Sequence, residues 1–107
     1  MNRKGLVFCN GVLAGELEYR SGEYFFRYDP AYSGEGRLPP ISLSFPKSKV
    51  EYRSPVLFPF FFGLLAEGAE KDLQCAALKI DENDHFLRLV KTCGEATIGA
   101  VTVVEAS

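Results

Sequence analysis

Few side chains in this chain could carry chemistry, and their spacing argues against a catalytic centre. The cysteines, Cys9, Cys75 and Cys93, lie far apart, are odd in number and form no C-x-x-C pair. Neither a disulfide framework nor a zinc site is expected from them. They read as small core residues, and as free thiols they suit a reducing cytoplasm. The one histidine, His85, stands beside Asp84, but no nucleophile with an orienting partner accompanies it. A lone histidine near a helix start reads as a surface residue. Glu82 and Asp84 read as carboxylates meeting the positive end of a helix rather than as an acid/base pair. Gly94 and Gly99 are separated by four residues, as in a phosphate loop, but no Lys-Ser/Thr follows them, so a turn between elements explains them better. Kinase chemistry would need a Gly-rich loop, a strand lysine and a catalytic aspartate, and the chain has no G-x-G-x-x-G or H-R-D pattern. The expectation is a protein that is not an enzyme, with no cofactor and no metal, acting by binding.

Length and charge bound what it could bind. The 107 residues suit one domain, 1–107, and leave no room for a second core. A hydrophobic fraction of 47% with 13% aromatic residues is enough to fold without staples. The formal charge of -2 gives no overall attraction to a polyphosphate, so direct DNA binding is not expected. Residues 1–53 carry eight basic and six acidic groups and residues 54–107 four and eight, a modest asymmetry that solvated surface explains. No signal-like segment opens the chain, and the apolar run Pro55 to Leu65 is too short to span a bilayer. A soluble, cytoplasmic protein without membrane contact is expected.

The elements can be read in order. Gly5 to Cys9 is apolar and is followed by Asn10-Gly11, a strong hairpin signal because both residues tolerate positive φ. Val12 to Tyr19 follows, with Leu13, Leu17 and Tyr19 expected on one face; Ser21-Gly22 marks another turn, and Glu23 to Tyr28 alternates again. This is a three-stranded meander. Ala31 to Pro40 reads as a loop, Ile41 to Phe45 as a half-buried strand closed by Pro46, and Lys47 to Arg53 as a polar connection. From Pro59 the period becomes helical, with Phe60, Leu64, Phe61 and Leu65 within an arc of about 140°. Gly68 ends or bends that helix, and Leu73, Ala76, Ala77 and Ile80 form the stripe of a second. Asp81 to Asp84 offer N-cap oxygens to a third, carrying Phe86, Leu89, Val90 and Cys93, with Gly94 just beyond it. Ile98 to Glu105 reads as a last strand. The expected fold is α+β: a small antiparallel sheet, made of the N-terminal meander plus later strands, packed with about three helices.

The segment Ser54 to Gly68, Ser-Pro-Val-Leu-Phe-Pro-Phe-Phe-Phe-Gly-Leu-Leu-Ala-Glu-Gly, resembles the N-terminal subdomain 1 of HipA-type toxin kinases. The resemblance extends through Asn10 to Gly15, Phe26 to Asp29, Ile41 to Pro46 and Gly99 to Val101. A HipA kinase continues for several hundred residues into its catalytic core, whereas this sequence stops at Ser107. It therefore resembles the HipS-like antitoxins of tripartite HipBST systems. What the resemblance implies is an antitoxin that binds and neutralises a separate HipT-type Ser/Thr kinase, with a HipB-like DNA-binding protein as third member of the complex. The alternative is a structural or dimerisation subdomain of a HipA-type kinase, without inhibitory action of its own. The chain has Leu65-Ala66-Glu67-Gly68 where the family often has Leu-Pro-Glu-Gly, and Phe62 where many relatives carry a polar residue.

Phe62 lies at about 200° on the wheel of its helix and widens the apolar arc to about twice what a core-facing helix requires. Two readings stay open. Either Phe62 packs under the Ala31 to Pro40 loop, or Phe62, with Phe58 or Phe60, is an aromatic anchor for the partner.

Overall fold

The computed structural model describes residues 3–93 and 101–106. Strands β1 (Arg3–Cys9), β2 (Val12–Arg20) and β3 (Glu23–Tyr28) form the expected meander. Its two tight turns carry positive φ at Asn10 and Gly11 and again at Ser21 and Gly22, the geometry that matches the right-handed twist of a hairpin. β4 (Glu51–Ser54) and β5 (Val101–Glu105) complete an antiparallel sheet in the order β4-β3-β2-β1-β5. Four helices are described: α1 (Pro30–Ser33), α2 (Pro59–Phe62), α3 (Gly68–Leu78) and α4 (His85–Thr92). The fold is α+β. Among the described residues, no helix is long and apolar enough to cross a membrane.

One face of the sheet holds the core. Val7, Leu17, Phe26, Tyr28 and Val103 are buried against Phe61 of α2, Phe86, Leu89 and Val90 of α4, and the loop residues Ile41 and Phe45. The opposite face carries a charged ladder in which Glu16 meets Lys4 and Arg27, each at 3.5 Å, and Arg27 reaches Glu51 at 4.0 Å. Such exposed pairs add little stability and mark the face turned to water. The edges are blunted: β4 is short, charged and followed by Pro55, and on β5 the Val103 N–H donates to the Cys93 carbonyl at 2.8 Å.

The expected face of β2 is corrected by a β-bulge. Val7 pairs with Gly15 but Phe8 with Leu13, so Ala14 is the extra residue. Ala14 turns inward beside Leu17, and Leu13 turns out. Gly15 is required here because a Cβ would collide with the Arg27 carbonyl across the β2/β3 pair.

The expected strand Ile41 to Phe45 is a turn, and the sheet edge is instead Glu51–Ser54, within the segment read as a polar connection. Pro39-Pro40 and Pro46 remove ladder donors on both sides. Ser42 satisfies the turn locally, its hydroxyl accepting from Ser44 N–H at 3.2 Å and its carbonyl from Phe45 N–H at 3.0 Å. Ile41 and Phe45 still bury. Both ends of the turn are fastened to one buried group, the Tyr28 hydroxyl, which donates to the Phe45 carbonyl and accepts from Ile41 N–H at 3.1 Å. Burial raises the pKa of that hydroxyl, and the Ile41 hydrogen bond lowers it by less, so it stays protonated well above neutrality. Tyr28→Phe leaves the Ile41 amide and the Phe45 carbonyl without this partner and lowers stability by about 1–3 kcal/mol. A urea titration of the two proteins measures it, and an unchanged midpoint would show that water replaces the hydroxyl.

Two helices also depart from expectation. α2 ends at Phe62, and the chain continues in tight turns, with Leu64 N–H donating to Phe61 and Leu65 N–H to Phe62, both at 3.1 Å. Phe61 and Leu65 are buried and Phe60 and Leu64 half-buried, as the wheel required. α3 buries none of its residues, and Leu73 is 71% exposed. Leu73, Ala76 and Ala77 of its expected core stripe face water, and Ile80, beyond the left-handed Lys79, alone of that stripe is buried. Lys71, Gln74 and Cys75 are the half-buried side of the helix. Gly94 and the start of the last expected strand, residues 98–100, lie outside the described residues.

Candidate protein-binding site

Phe62 is the last residue of α2 and His85 the first of α4, and their rings meet edge to face with centroids 5.2 Å apart. The surrounding hydrogen bonds hold this meeting point in place. Asp84 caps α4, its carboxylate accepting from Leu87 N–H at 3.2 Å, and the same oxygen accepts from Arg3 at 2.6 Å. That bond raises the pKa of the Arg3 guanidinium further. The start of α4 is thus tied to β1 by a part-exposed ion pair.

Arg88 supports the corner from behind. Its side chain is buried, donating to the Ala66 carbonyl at 2.8 Å and the Glu82 carbonyl at 3.4 Å, with His85 Nδ1 at 3.5 Å. It joins the α2–α3 connection to the first turn of α4. Sequence reasoning missed it. On the α4 wheel Arg88 lies about 200° from Phe86, on the face that should meet solvent, and a connection folded over that face cannot be read from periodicity.

The Phe62–His85 pair forms a ridge between two hollows. One, of about 420 Å³, is lined by Tyr19, Tyr24, Pro55, Val56 and Leu57 together with the ridge. It is mainly aromatic and aliphatic, and its two tyrosine rings lie 4.8 Å apart. Burial pushes the Tyr24 hydroxyl above the ordinary tyrosine range. The other hollow, of about 240 Å³, lies towards Glu67, Lys71 and Glu82. A ridge of one exposed and one half-buried ring, flanked by shallow hollows, has the form of an interlocking protein surface.

The three aromatic candidates part company. Phe58 is buried, its ring 5.2 Å from Phe45 and 6.3 Å from Phe61. Phe60 is half-buried, 5.2 Å from Phe61 and 6.1 Å from Phe45. Phe62 is 44% exposed. Phe58 therefore belongs to the core rather than to a free surface: Pro59 starts α2 just after it, and the turn that points Phe61 inward brings Phe58 onto the same cluster. The ring neighbour of Phe62 is His85, not the Ala31 to Pro40 loop, whose own Tyr32 stacks on Tyr28 at 5.9 Å.

Cys9, Cys75 and Cys93 are free thiols, and burial raises the Cys93 pKa, which disfavours its thiolate. No metal-ligating cluster is found among the described residues. The Gly94 to Gly99 segment lies outside them.

Residues 5–104 match the family described as HipA N-terminal domain. A protein of Haemophilus influenzae (strain ATCC 51907 / DSM 11121 / KW20 / Rd), described as "Uncharacterized protein", is 38% identical over 103 residues, which are 96% of this chain and 92% of that one. Among solved structures, the N-terminal domain of HipA toxin is similar with a TM-score of 0.74 and 36% sequence identity, over 98% of this chain and 93% of that chain. With its meander, its aromatic α2 and its capped α4 all within the matched span, the chain belongs to the HipA N-terminal domain family.

Proposed function

We propose that this chain is a binding protein that neutralises a separate HipT-type Ser/Thr kinase, with a HipB-like DNA-binding protein completing the complex. The observation that carries the reading is Phe62, a large aromatic residue left 44% exposed on a ridge whose two sides are fixed by Arg88 and by the Arg3–Asp84 bond. Aromatic anchors dominate interface energetics, and a rigid one loses little freedom on binding. In this family, the domain would sit on the kinase where a fused N-terminal subdomain sits and hold it in an unproductive geometry. Insertion of the Phe62 ring into the nucleotide site is the other route to the same outcome. Neither route asks the chain itself to catalyse anything, and neither requires it to touch DNA.

Mixing the purified chain with the HipT-type kinase is expected to give a stable complex and to suppress autophosphorylation once the chain reaches stoichiometric amount. Unaltered autophosphorylation at saturating concentration would refute the reading. It would leave the structural or dimerisation subdomain, which the water-facing Leu73 stripe of α3 favours.

A further inference from the structure

α3 turns an apolar stripe away from the rest of the protein. At about 100° per residue, Ala69, Leu73, Ala76 and Ala77 fall within an arc of about 100°. All four are exposed, whereas Lys71, Gln74 and Cys75 are half-buried on the other side of the helix. A surface helix ordinarily gives such a stripe to the core. Here the stripe is continuous, 71% exposed at its central Leu73, and otherwise made of small alanines that let another backbone come close.

The charges along its flank select what covers it. Asp72 and Lys79 are both exposed and stand seven residues apart, so they lie on one flank of the stripe, towards opposite ends. Neither joins an ion pair among the described residues. When two copies of such a helix pair antiparallel about a two-fold axis, the same flank of each copy meets with its ends exchanged. Asp72 of one copy then faces Lys79 of the other, and the symmetry makes the pair twice. Leu73 of each copy comes beside Ala76 and Ala77 of the other, and the two helix dipoles oppose. A parallel pair has none of this: Asp72 would meet Ala77, and the acidic Glu67, Glu70 and Asp72 of both copies would crowd together.

We propose that α3 is a self-association surface whose occupant is α3 of a second copy, laid antiparallel and closed by two reciprocal Asp72–Lys79 pairs. The inference stands apart from the kinase reading above. Eleven residues make a helix about 16 Å long, so the contact is smaller than a standard interface. The dimer is therefore weak, with a dissociation constant of about 10 to 1000 µM.

Sedimentation equilibrium of the chain at concentrations up to ~1 mM tests it, and a reversible monomer–dimer equilibrium is expected. Leu73→Glu should leave the chain monomeric throughout. Asp72→Lys alone and Lys79→Asp alone each turn two attractions into two repulsions and should weaken the dimer about 3- to 30-fold. The double exchange Asp72→Lys/Lys79→Asp should restore the parent's association, and aspartate tolerates the left-handed φ at position 79. Thermal melts of the dilute chains should resemble the parent's, since none of these side chains is in the core; should Leu73→Glu lower the melting temperature, Leu73→Ala, expected to weaken the dimer by less, takes its place. A parent chain that stays monomeric at every concentration overturns the inference. So does a dimer unaffected by the Leu73 variants, or a charge reversal that the double exchange fails to rescue. A chain that suppresses the kinase but does not self-associate overturns this inference alone, and one that self-associates as described but leaves the kinase untouched overturns only the proposed function.

Discussion

Phe62→Ala is expected to lower the affinity for the proposed kinase partner by about 2–4 kcal/mol, roughly 30- to 1000-fold in Kd, and to leave the unfolding free energy near that of the parent. The two halves of this result have separate causes. In the free chain the ring is 44% exposed and its ring neighbour is His85, so truncation opens no closed cavity. In the complex the exposed half would be desolvated inside the partner, where an aromatic truncation costs most. Calorimetry and a urea titration on the same variant measure both quantities. Unchanged affinity would remove Phe62 from the interface, and a large loss of stability with little loss of affinity would make it a core ring after all.

The effect requires a ridge that keeps its shape. If Arg88, Asp84 and Arg3 did not hold α4 against β1 and the α2–α3 connection, the Phe62 ring would collapse into one of the hollows beside it. A ring shielded in that way would be a poor anchor.

The sequence displays the meander well, since Asn10-Gly11 and Ser21-Gly22 are local turn chemistry and alternation between them is a local pattern. α4 is legible for the same reason, with a capping aspartate before an apolar face. Elements decided by distant partners are not legible. The bulge at Ala14 is set by pairing with β1, and alternation alone therefore places Leu13 inside. Ile41, Leu43 and Phe45 alternate like a strand, but the Tyr28 hydroxyl, seventeen residues from Phe45, closes them into a turn. The true edge strand is hidden because edges are favoured by the charges that made Glu51 to Arg53 read as a connection. α3 misleads in the opposite way: its apolar stripe is real, but nothing local says whether the chain beyond Lys79 will turn that stripe inward.

The candidate site was half visible. The excess width of the α2 arc singled out Phe62, and periodicity alone can do that. It could not separate Phe62 from Phe58 or Phe60, since the burial of Phe58 depends on Phe45, which arrives from another part of the chain. The brace at Arg88 was invisible, because it depends on hydrogen bonds to backbone carbonyls of other segments.

Phe61→Ala, one residue away from the proposed anchor, is expected to do the reverse and destabilise the fold. Phe61 is fully buried, with its ring 5.7 Å from Phe26, 5.8 Å from Phe45 and 5.2 Å from Phe60. Removing it leaves a cavity at the junction of sheet, turn and helix and costs about 3–5 kcal/mol, a large share of the roughly 5–15 kcal/mol that holds a domain of this size together. Kinase binding should then fall only as far as the folded fraction falls. Phe61→Leu, which refills most of the space, should restore much of the stability and the binding together, whereas Phe62→Leu should keep stability and restore only part of the affinity. Urea titrations paired with calorimetry on the four variants make the comparison. A Phe61→Ala chain as stable as the parent would mean that this aromatic cluster is not what fastens α2 to the sheet, and the rigidity assigned to the Phe62 ridge would lose its foundation.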